Sequence, residues 1–323
     1  MPLMQHHIKK NAADLRKDIL RFDPRITCAY LFTITKYGYP PDVQHTLRHI
    51  DEMADMGFVS IELEGIGETN IRFLSAHTSQ VTDKLAQRNC HVPVFCVVLP
   101  GLGATDADTR NKSLELFRLG CKTARAFGAE GVLDNGPLLP LVYPPGMPVM
   151  RHYSSENLQL PAGFNWDKYH NDLVQTFRTA CNIAAEYDLK YHLHPCEGSL
   201  VTTTDSFINF SHAVGCDNLM FNLDTANQFF MKDNLELSIL RLIKQVSYIH
   251  ISDNSGIRVE HTIPGNGKIN WNNFFSTLQK AGFTGKLAID VGGAETSTIK
   301  DIEDAYHRSA VWLSQQINSY LLN

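Results

Sequence analysis

Short apolar segments alternate with amphipathic segments along the chain from about residue 26 onward. The apolar segments are rich in β-branched and aromatic residues, which is typical of strands that are buried on both faces. We expect eight such strands, at 26–35, 59–63, 92–99, 130–134, 190–194, 219–224, 246–251 and 287–291. The segments between them place apolar residues at helical spacing, and the clearest predicted helices cover 42–56, much of 70–88, 106–127, 166–187 and 297–321.

Eight strands that alternate with helices predict an α/β fold of the (β/α)8 TIM-barrel type, formed by one domain over residues 1–323. A doubly wound open sheet is the alternative arrangement of the same elements. Its nucleotide-binding form carries a Gly-x-Gly-x-x-Gly turn after the first strand, and the sequence has no such turn there. The barrel is therefore the preferred prediction.

Two segments go beyond a minimal barrel. Residues 1–25 place Leu15, Ile19, Leu20 and Phe22 at near-helical spacing, which predicts an N-terminal helical extension that closes the bottom of the barrel. Residues 135–165 form a long loop rich in proline, glycine and apolar side chains. Because this loop follows the fourth strand, we expect it on the catalytic face, as a lid or a subunit contact. An ordered apolar loop without a special role is the alternative.

The composition restricts the classes of partner. The chain has 323 residues, of which 43% are hydrophobic and 20% charged, with a net charge of −5 and no cluster of lysine or arginine. This profile indicates a globular protein and argues against nucleic acid or an anionic membrane as the main partner. No segment approaches the roughly 20 continuous apolar residues of a membrane span, and residues 1–18 lack the apolar segment of a signal peptide. A cytoplasmic location is expected.

The seven cysteines are scattered and include no Cys-x-x-Cys pair, so neither a disulfide framework nor a zinc ribbon is expected. Cys196 differs from the others because it lies between His194 and Glu197. It is a candidate soft ligand or nucleophile. The preferred interpretation is a small residue that fills a loop.

The fifth predicted strand ends in the most informative stretch of the chain, Tyr-His-Leu-His-Pro-Cys-Glu-Gly at 191–198. His192 and His194 are two residues apart, a spacing that directs both side chains to the same face of a strand. The residues alone leave open which of the two histidines contacts the metal. Glu197 follows in the next loop and is either catalytic or a loop carboxylate. Two imidazoles and a carboxylate in one stretch are typical of a metal or proton-transfer site.

Other strands end in polar residues as well. Asp224, His250 and Asp290 end or directly follow the sixth, seventh and eighth strands. Glu62 and Glu64 lie at the end of the second strand, where an ion pair in the barrel and a substrate contact are both open. In a TIM barrel these ends meet at the catalytic face. Carboxylates and imidazoles together suit a divalent metal, which polarises a carbonyl and makes the neighbouring C–H acidic enough for a side-chain base. A turn cap, a core histidine and an ion pair are the structural alternatives.

Candidate substrate-binding residues lie in the loops that follow the sixth and seventh strands. They are Asn227, Asp253, Arg258 and His261. The guanidinium group of Arg258 has several donors for sugar hydroxyls or a carboxylate, and a solvated loop arginine is the alternative.

Four motifs carry a resemblance to a known family. They are Asp-Thr-Ala-Asn at 224–227, His-Ile-Ser-Asp-Asn at 250–254, Pro-Gly-Asn-Gly-Lys-Ile-Asn-Trp at 264–271 and Leu-Ala-Ile-Asp at 287–290. Over residues 26–316 the chain resembles the xylose isomerase-like TIM-barrel superfamily, which includes sugar isomerases and epimerases, inosose dehydratases and endonuclease IV. The net charge argues against DNA repair of the endonuclease IV type.

The resemblance implies one divalent metal, held in the epimerase branch by Glu, Asp, His and Glu on strands five to eight. Carried over, the metal ligands are His192, Asp224, His250 and Asp290. Mn²⁺ is the expected metal, with Co²⁺, Fe²⁺, Zn²⁺ and Mg²⁺ as alternatives. Both family glutamates, which also move the proton, are replaced here, so proton transfer is assigned to His194, Glu197 or Glu64.

The chain is also similar to the larger subunit of C-glycoside deglycosidases, which cleave 3-oxo-glucosides by elimination and work with a small β-sheet partner subunit. We therefore expect a metal-dependent enzyme that abstracts a proton beside a keto-sugar carbonyl, with a lyase of this kind preferred. A sugar isomerase or epimerase is the alternative. A metal-free sugar-binding protein is the competing class. The expected partners are a small sugar or glycoside, and other subunits in an oligomer.

Overall fold

The computed structural model describes residues 21–142, 158–293 and 299–321. Eight parallel strand segments follow one another along the chain. They are β1 (Ile26–Cys28), β2 (Ser60–Ile61 and Leu63–Ile66), β3 (Val94–Val98), β4 (Gly131–Asn135), β5 (Lys190–His194), β6 (Leu219–Phe221 and Leu223–Asp224), β7 (Tyr248–Ile251) and β8 (Lys286–Ile289).

The strands close into a barrel, and two of them are interrupted at one residue each, β2 at Glu62 and β6 at Asn222. β1 lies between β2 and β8, β8 pairs with β7, and β7 pairs with the second part of β6. The first part of β6 continues through β5, β4 and β3 to the second part of β2. Every strand thus has two neighbours, and the predicted TIM barrel is confirmed.

Helices surround the barrel. They are α1 (Leu31–Tyr37), α2 (Thr46–Asp55), α3 (Gly67–Ala76), α4 (Thr78–Arg88), α5 (Ala107–Ala126), α6 (Trp166–Glu186), α7 (Thr204–Val214), α8 (Thr225–Phe230), α9 (Leu235–Leu242), α10 (Trp271–Lys280) and α11 (Ile302–Gln316). Short 3-10 segments occur at Val43–His45, Pro100–Gly103 and Ile243–Gln245, and a π-helical turn at Ile317–Leu321. Within the described ranges, no helix is both long and apolar enough to cross a membrane.

Two element predictions were wrong in detail. The first predicted strand, 26–35, ends at Cys28, and its second half forms α1. A continuous apolar run does not distinguish a buried strand from a buried helix. The predicted helix within 70–88 is two helices, which His77 joins. The predicted N-terminal extension lies almost entirely outside the described residues, as does the centre of the long loop, 143–157.

Buried apolar residues form two groups on the two faces of the sheet. The larger group fills the space between strands and helices, and the smaller group lies inside the barrel, where it includes Cys96, Leu133 and Tyr248. On β5, Tyr191 and Leu193 belong to the outer group, so His192 and His194 point inward. The period of two along each strand therefore directs the polar residues of the strand ends into the barrel.

Candidate metal centre

Four buried side chains converge at the C-terminal ends of four adjacent strands. His194, Asp224, His250 and Asp290 each offer one ligand atom, and these atoms all lie within 4.8 Å of one another. They come from β5, β6, β7 and the residue after β8. The backbone register explains the meeting, because Asp224 lies opposite His250 and the residue opposite His250 on β8 is Ala288, two positions before Asp290.

Asp224 is positioned by the start of α8. Its Oδ1 accepts the Asn227 backbone N–H at 2.8 Å, which makes it the N-cap of the helix. Its Oδ2 lies 2.9 Å from His194 Nε2 and accepts a hydrogen bond from Asn227 Nδ2 at 3.0 Å. The other nitrogen of His194, Nδ1, lies 3.2 Å from Asn135 Oδ1 at the end of β4. Both groups are thereby fixed in orientation.

His250 lies between two carboxylates. Its Nε2 is 2.9 Å from Glu62 Oε1, and its Nδ1 is 3.5 Å from Asp290 Oδ2 and 3.9 Å from Asp224 Oδ2. Asp290 Oδ2 also lies 3.4 Å from Nδ1 of His261. The imidazole rings of His194 and His250 are 5.1 Å apart between centroids. One nitrogen of each ring therefore faces the carboxylates of the group.

The electrostatics leave the carboxylates ionised. Burial opposes ionisation of Asp290, but the neighbouring imidazoles, His250 first, hold its pKa well below the ordinary value. Burial likewise opposes ionisation of Asp224, but His261 and His194 lower its pKa. Burial lowers the pKa of His194 and so favours the neutral imidazole, in which one of the two ring nitrogens carries a lone pair. Burial also opposes protonation of His250, but Asp290 and Glu62 raise its pKa well above the ordinary value.

These residues fit a divalent metal. Two imidazole nitrogens and two carboxylate oxygens are a donor set for Mn, Fe, Co or Zn, and four protein ligands suit a tetrahedral or more open site. His250 Nδ1 is buried without a hydrogen-bond partner among the described residues, although it faces two carboxylates. A metal would satisfy that nitrogen and would replace the positive charge of the imidazolium. No sulfur lies in the group.

His192, expected as a ligand, is not brought into this group. It points into the barrel one layer deeper than His194, with its ring 6.1 Å from that of Tyr248. It lines a cavity of about 500 Å³ beside the first residues of the strands, Lys190 and Lys286 among them. Burial lowers the pKa of His192 to about 3, and its Nδ1 has no hydrogen-bond partner among the described residues. The structure places His194, not His192, beside Asp224.

The two candidate glutamates lie at different depths. Glu64, on β2, is buried. Glu197 is half-buried in the turn after β5. Within residues 21–142, 158–293 and 299–321, Glu197 makes no hydrogen bond or ion pair that fixes its carboxylate. It is therefore the more available of the two for proton transfer.

The four candidate substrate-binding residues separate into two pairs. Asn227 contacts Asp224, and His261 contacts Asp290. Both therefore adjoin the group of four buried side chains, which we call the ligand group. Asp253 and Arg258 do not reach it. The fully buried carboxylate of Asp253 accepts the backbone N–H groups of Gly265 and Ile269 and the indole N–H of Trp271, so it organises the loop. Arg258 is 66% exposed and pairs with Glu260 at 2.9 Å.

Two further residues hold the two imidazoles of the group, Glu62 and Asn135. The sequence indicates either an ion pair in the barrel or a substrate contact for Glu62, and the structure pairs it with His250, whereas Asn135 was not among the candidate residues. Glu62 alternates with Glu64 along β2, so both point to the same face, and its contact with His250 places that face inside the barrel. Asn135 is the last residue of β4, a position that a barrel brings to the catalytic face. The position of each residue in its strand could have indicated that its side chain lies inside the barrel or at its catalytic face. The sequence could not indicate its contact, because the partner lies on another strand.

A family model described as xylose isomerase-like TIM barrel matches residues 50–316. Among curated proteins, hydroxypyruvate isomerase of Escherichia coli K12 is 25% identical over 130 residues, which cover 39% of this chain and 49% of that protein. A protein of Methanocaldococcus jannaschii is 29% identical over 121 residues, which cover 36% of this chain and 45% of that protein. The chain spans about half the length of these curated relatives.

Three solved structures are similar over most of the chain. A 3-keto-D-glucoside 4-epimerase from E. coli has a TM-score of 0.69 at 17% identity, covering 91% of this chain and 100% of that one. A D-allulose 3-epimerase from Methylomonas sp. has a TM-score of 0.69 at 17% identity, with 92% and 100% covered. The IOLI protein with a bound zinc atom has a TM-score of 0.68 at 16% identity, with 92% and 99% covered. At these identities the similarity establishes the fold.

Proposed function

Because the chain belongs to the xylose isomerase-like TIM-barrel family, we propose that it is a divalent-metal-dependent enzyme that removes a proton beside the carbonyl of a keto-sugar. One observation carries the proposal. Two imidazoles and two carboxylates, all buried, bring their ligand atoms within 4.8 Å of one another at the catalytic end of the barrel. A buried group of this composition is costly without a partner, and a metal offsets that cost.

The proposed ligands are His194, Asp224, His250 and Asp290, with His194 in place of the expected His192. A bound divalent cation polarises a substrate carbonyl or adjacent hydroxyl and so acidifies the neighbouring C–H. Two imidazoles favour Mn, Fe, Co or Zn over Mg. Among these metals we propose tighter binding of Zn²⁺ and Co²⁺ than of Mn²⁺, because affinity at N and O sites generally rises along that series.

The proton carrier is proposed to be Glu197. Asp224 and Asp290 are poor bases because the adjacent imidazoles hold their pKa values low. Both ring nitrogens of His194 face fixed partners, which leaves it without a nitrogen for the substrate. Glu197 is half-buried at the mouth of the barrel and has a carboxylate that the described residues do not fix. Glu64, deeper on β2, is the second candidate.

Two reactions begin with the same proton transfer. In epimerisation or isomerisation, a proton returns to the same carbon from the other face or to the neighbouring position. In elimination from a 3-keto-glucoside, the base takes the C2 proton and the C2–H electron pair forms the C1–C2 double bond. The bond from C1 to the aglycone breaks, and the aglycone leaves with the proton that the base returns to it. The names of the relatives favour the first reaction, because they include a 3-keto-D-glucoside 4-epimerase and a hydroxypyruvate isomerase.

The composition of the ligand group favours the second reaction. An imidazole and a short aspartate stand at the two strand ends, β5 and β8, where the resemblance implies proton-moving glutamates. A lone carboxylate such as Glu197 can remove the C2 proton and return it to the departing aglycone, whereas epimerisation needs a base on one face of the carbon and a proton donor on the other. We propose a 3-keto-glucoside as the substrate to test first, because it supports both reactions.

Metal analysis tests the first part of the proposal. Purified protein is expected to hold about one equivalent of Zn, Co, Fe or Mn per chain and to lose it in Asp224→Ala and in His250→Ala. His192→Leu is the matched control, because it removes an imidazole from the same barrel without touching the group. Absence of stoichiometric metal after reconstitution with each of these ions would refute the metal proposal.

A deuterium experiment tests the proton transfer. Metal-loaded protein is incubated in D2O with 3-keto-O- and 3-keto-C-glucosides and with ketoses such as D-allulose. Deuterium at the carbon beside the ketone reports abstraction, released aglycone identifies the lyase, and a new sugar stereoisomer identifies the epimerase. No exchange, no aglycone and no isomer with any of these substrates would contradict the enzymatic proposal.

The expected partners remain part of the proposal. A small β-sheet subunit accompanies the lyase that the sequence resembles, and we propose such a hetero-oligomer for this chain. Light scattering of the protein purified from its native source measures the assembly. A homogeneous species of about 36.3 kDa, the mass of one chain, would contradict it.

A further inference from the structure

Glu62 is a buried carboxylate directly beneath the ligand group. It stands at the single-residue interruption of β2 and is 1% exposed. Three donors converge on it. The Tyr30 backbone N–H donates to Oε2 at 2.8 Å, the Tyr248 hydroxyl donates to Oε1 at 2.6 Å, and His250 Nε2 lies 2.9 Å from Oε1. The carboxylate is thereby held rigidly as an acceptor.

An acceptor at this position decides which nitrogen of His250 carries the proton. Because Glu62 accepts from Nε2, the neutral imidazole is held as the Nε2–H tautomer. The lone pair then lies on Nδ1, which faces Asp290 at 3.5 Å and Asp224 at 3.9 Å. The orientation of the ring follows from the Glu62 contact, because the two nitrogens lie on opposite sides of the imidazole.

The second histidine is held in the opposite sense. His194 Nδ1 lies 3.2 Å from Asn135 Oδ1, and its Nε2 faces Asp224. The two imidazoles therefore present different ring nitrogens to the same point. This difference gives an experimental signature that metal content alone does not provide.

We propose that Glu62 is a positioning residue that fixes His250 with Nε2–H toward its own carboxylate and Nδ1 toward the metal. The inference rests on the proposed function, because it assigns the ligand atom of a metal that the proposal introduces. A carboxylate acceptor behind a ligating imidazole also increases the basicity of the ligand nitrogen. Glu62 thus acts through His250 and does not itself contact metal or substrate.

Metal affinity tests the role of Glu62. Glu62→Gln keeps the size of the side chain and removes its charge, and we expect its Kd for Co²⁺ to rise by about 10- to 100-fold. The titration follows the visible absorption of Co²⁺ in protein freed of metal by chelation. Glu186→Gln, which removes the same charge from the outer helix α6, is the matched control and should keep the wild-type Kd. A Glu62→Gln variant that binds Co²⁺ within threefold of wild type would overturn the inference.

Nitrogen-15 NMR of the histidines supplies a readout that a purely structural role would not move. With Zn²⁺ bound, we expect a proton on Nε2 of His250 and a metal-induced shift at Nδ1, with the reverse pattern at His194. A metal shift at Nε2 of His250 would overturn the assignment. This measurement uses the wild-type protein, so it remains decisive if the Glu62 variants fail to fold.

The two proposals fail in distinguishable ways. If the wild-type protein binds no metal, the proposed function fails. The positioning role is then tested in the metal-free protein, where the Nε2 proton of His250 should give a downfield, slowly exchanging signal. Glu62→Leu should lose that signal, and its persistence in this variant would show that Glu62 does not hold the ring.

Discussion

Replacing His192 with leucine tests two points together. The first is that His194, and not His192, is the metal ligand on β5, and the second is how much the buried imidazole of His192 lowers the unfolding free energy at acidic pH. The pKa of His192 is lowered to about 3 by burial, whereas an unfolded chain has an imidazole pKa of about 6.5. The folded-state pKa is therefore the depressed one. The contribution of His192 to the unfolding free energy is present above pH 6.5 and is lost as the pH falls toward 3, because in this range the unfolded chain binds a proton at His192 and the folded chain does not.

The magnitude follows from the linkage relation. Each pH unit between the two pKa values costs about 1.4 kcal/mol, so lowering the pH from 6.5 to 5 costs about 2 kcal/mol. Wild-type protein should therefore lose about 2 kcal/mol more unfolding free energy between pH 7.5 and pH 5 than His192→Leu does. Other titrating groups contribute to both proteins alike and cancel in this difference.

Urea denaturation of the chelated proteins at the two pH values measures the effect. His307→Leu, which removes an exposed imidazole, is the control. Equal losses in wild type and His192→Leu, within about 0.5 kcal/mol, would refute the depressed pKa. The Co²⁺ affinity of His192→Leu at pH 7.5 should match wild type, while His194→Leu should lose the metal. The opposite result would return His192 to the ligand group.

Three further outcomes are expected. Metal binding to chelated protein should release protons and should tighten as the pH rises above the ordinary imidazole pKa of about 6.5, because His250 must lose the proton that the adjacent carboxylates hold. Calorimetry in two buffers of different ionisation enthalpy measures the release, and equal heats would contradict it. Glu197→Gln should slow deuterium exchange into substrate by about 100-fold or more at unchanged Co²⁺ affinity, and unimpaired exchange would exclude Glu197 as the base. Gly292→Ala should lower the melting temperature more than Gly282→Ala does. Both glycines have positive φ (127° and 70°), but a Cβ at Gly292 would lie 2.1 Å from Thr35 Oγ1, whereas at Gly282 the space is open. Equal decreases in melting temperature for the two variants would show that the Thr35 side chain moves away from the added Cβ at little energetic cost.

Much of the fold could be predicted because each barrel strand is a short apolar run, and most of these runs are separated by segments with apolar residues at helical spacing. The exception, residues 31–37, shows the limit of that signal. Leu31, Phe32 and Thr33 are three consecutive residues on different sides of the first helical turn, and all three are buried, so this turn has no polar face to reveal the period. Tertiary packing decided the element type there.

The candidate site was predictable to the level of strand ends. Asp224, His250 and Asp290 could be located because a TIM barrel brings those ends together. The choice between His192 and His194 could not be made, since a period of two gives both the same face and their depth depends on how far the strand continues. Asp253 could not be interpreted either, because its partners are backbone N–H groups of a loop folded around it.

The interruptions at Glu62 and Asn222 divide the barrel wall into two half-sheets. At the second of these seams the side chain of Asn222 is buried and, within the described part of the chain, makes no hydrogen bond. His194 belongs to one half-sheet, and Asp224 and His250 belong to the other. A cation held by all three would bridge that seam as a removable cross-link between two halves of the wall. Binding of the ion would then raise the free energy of local opening at this seam. Backbone amides on both sides of Asn222 would exchange with solvent faster in the metal-free protein than in the metal-bound protein.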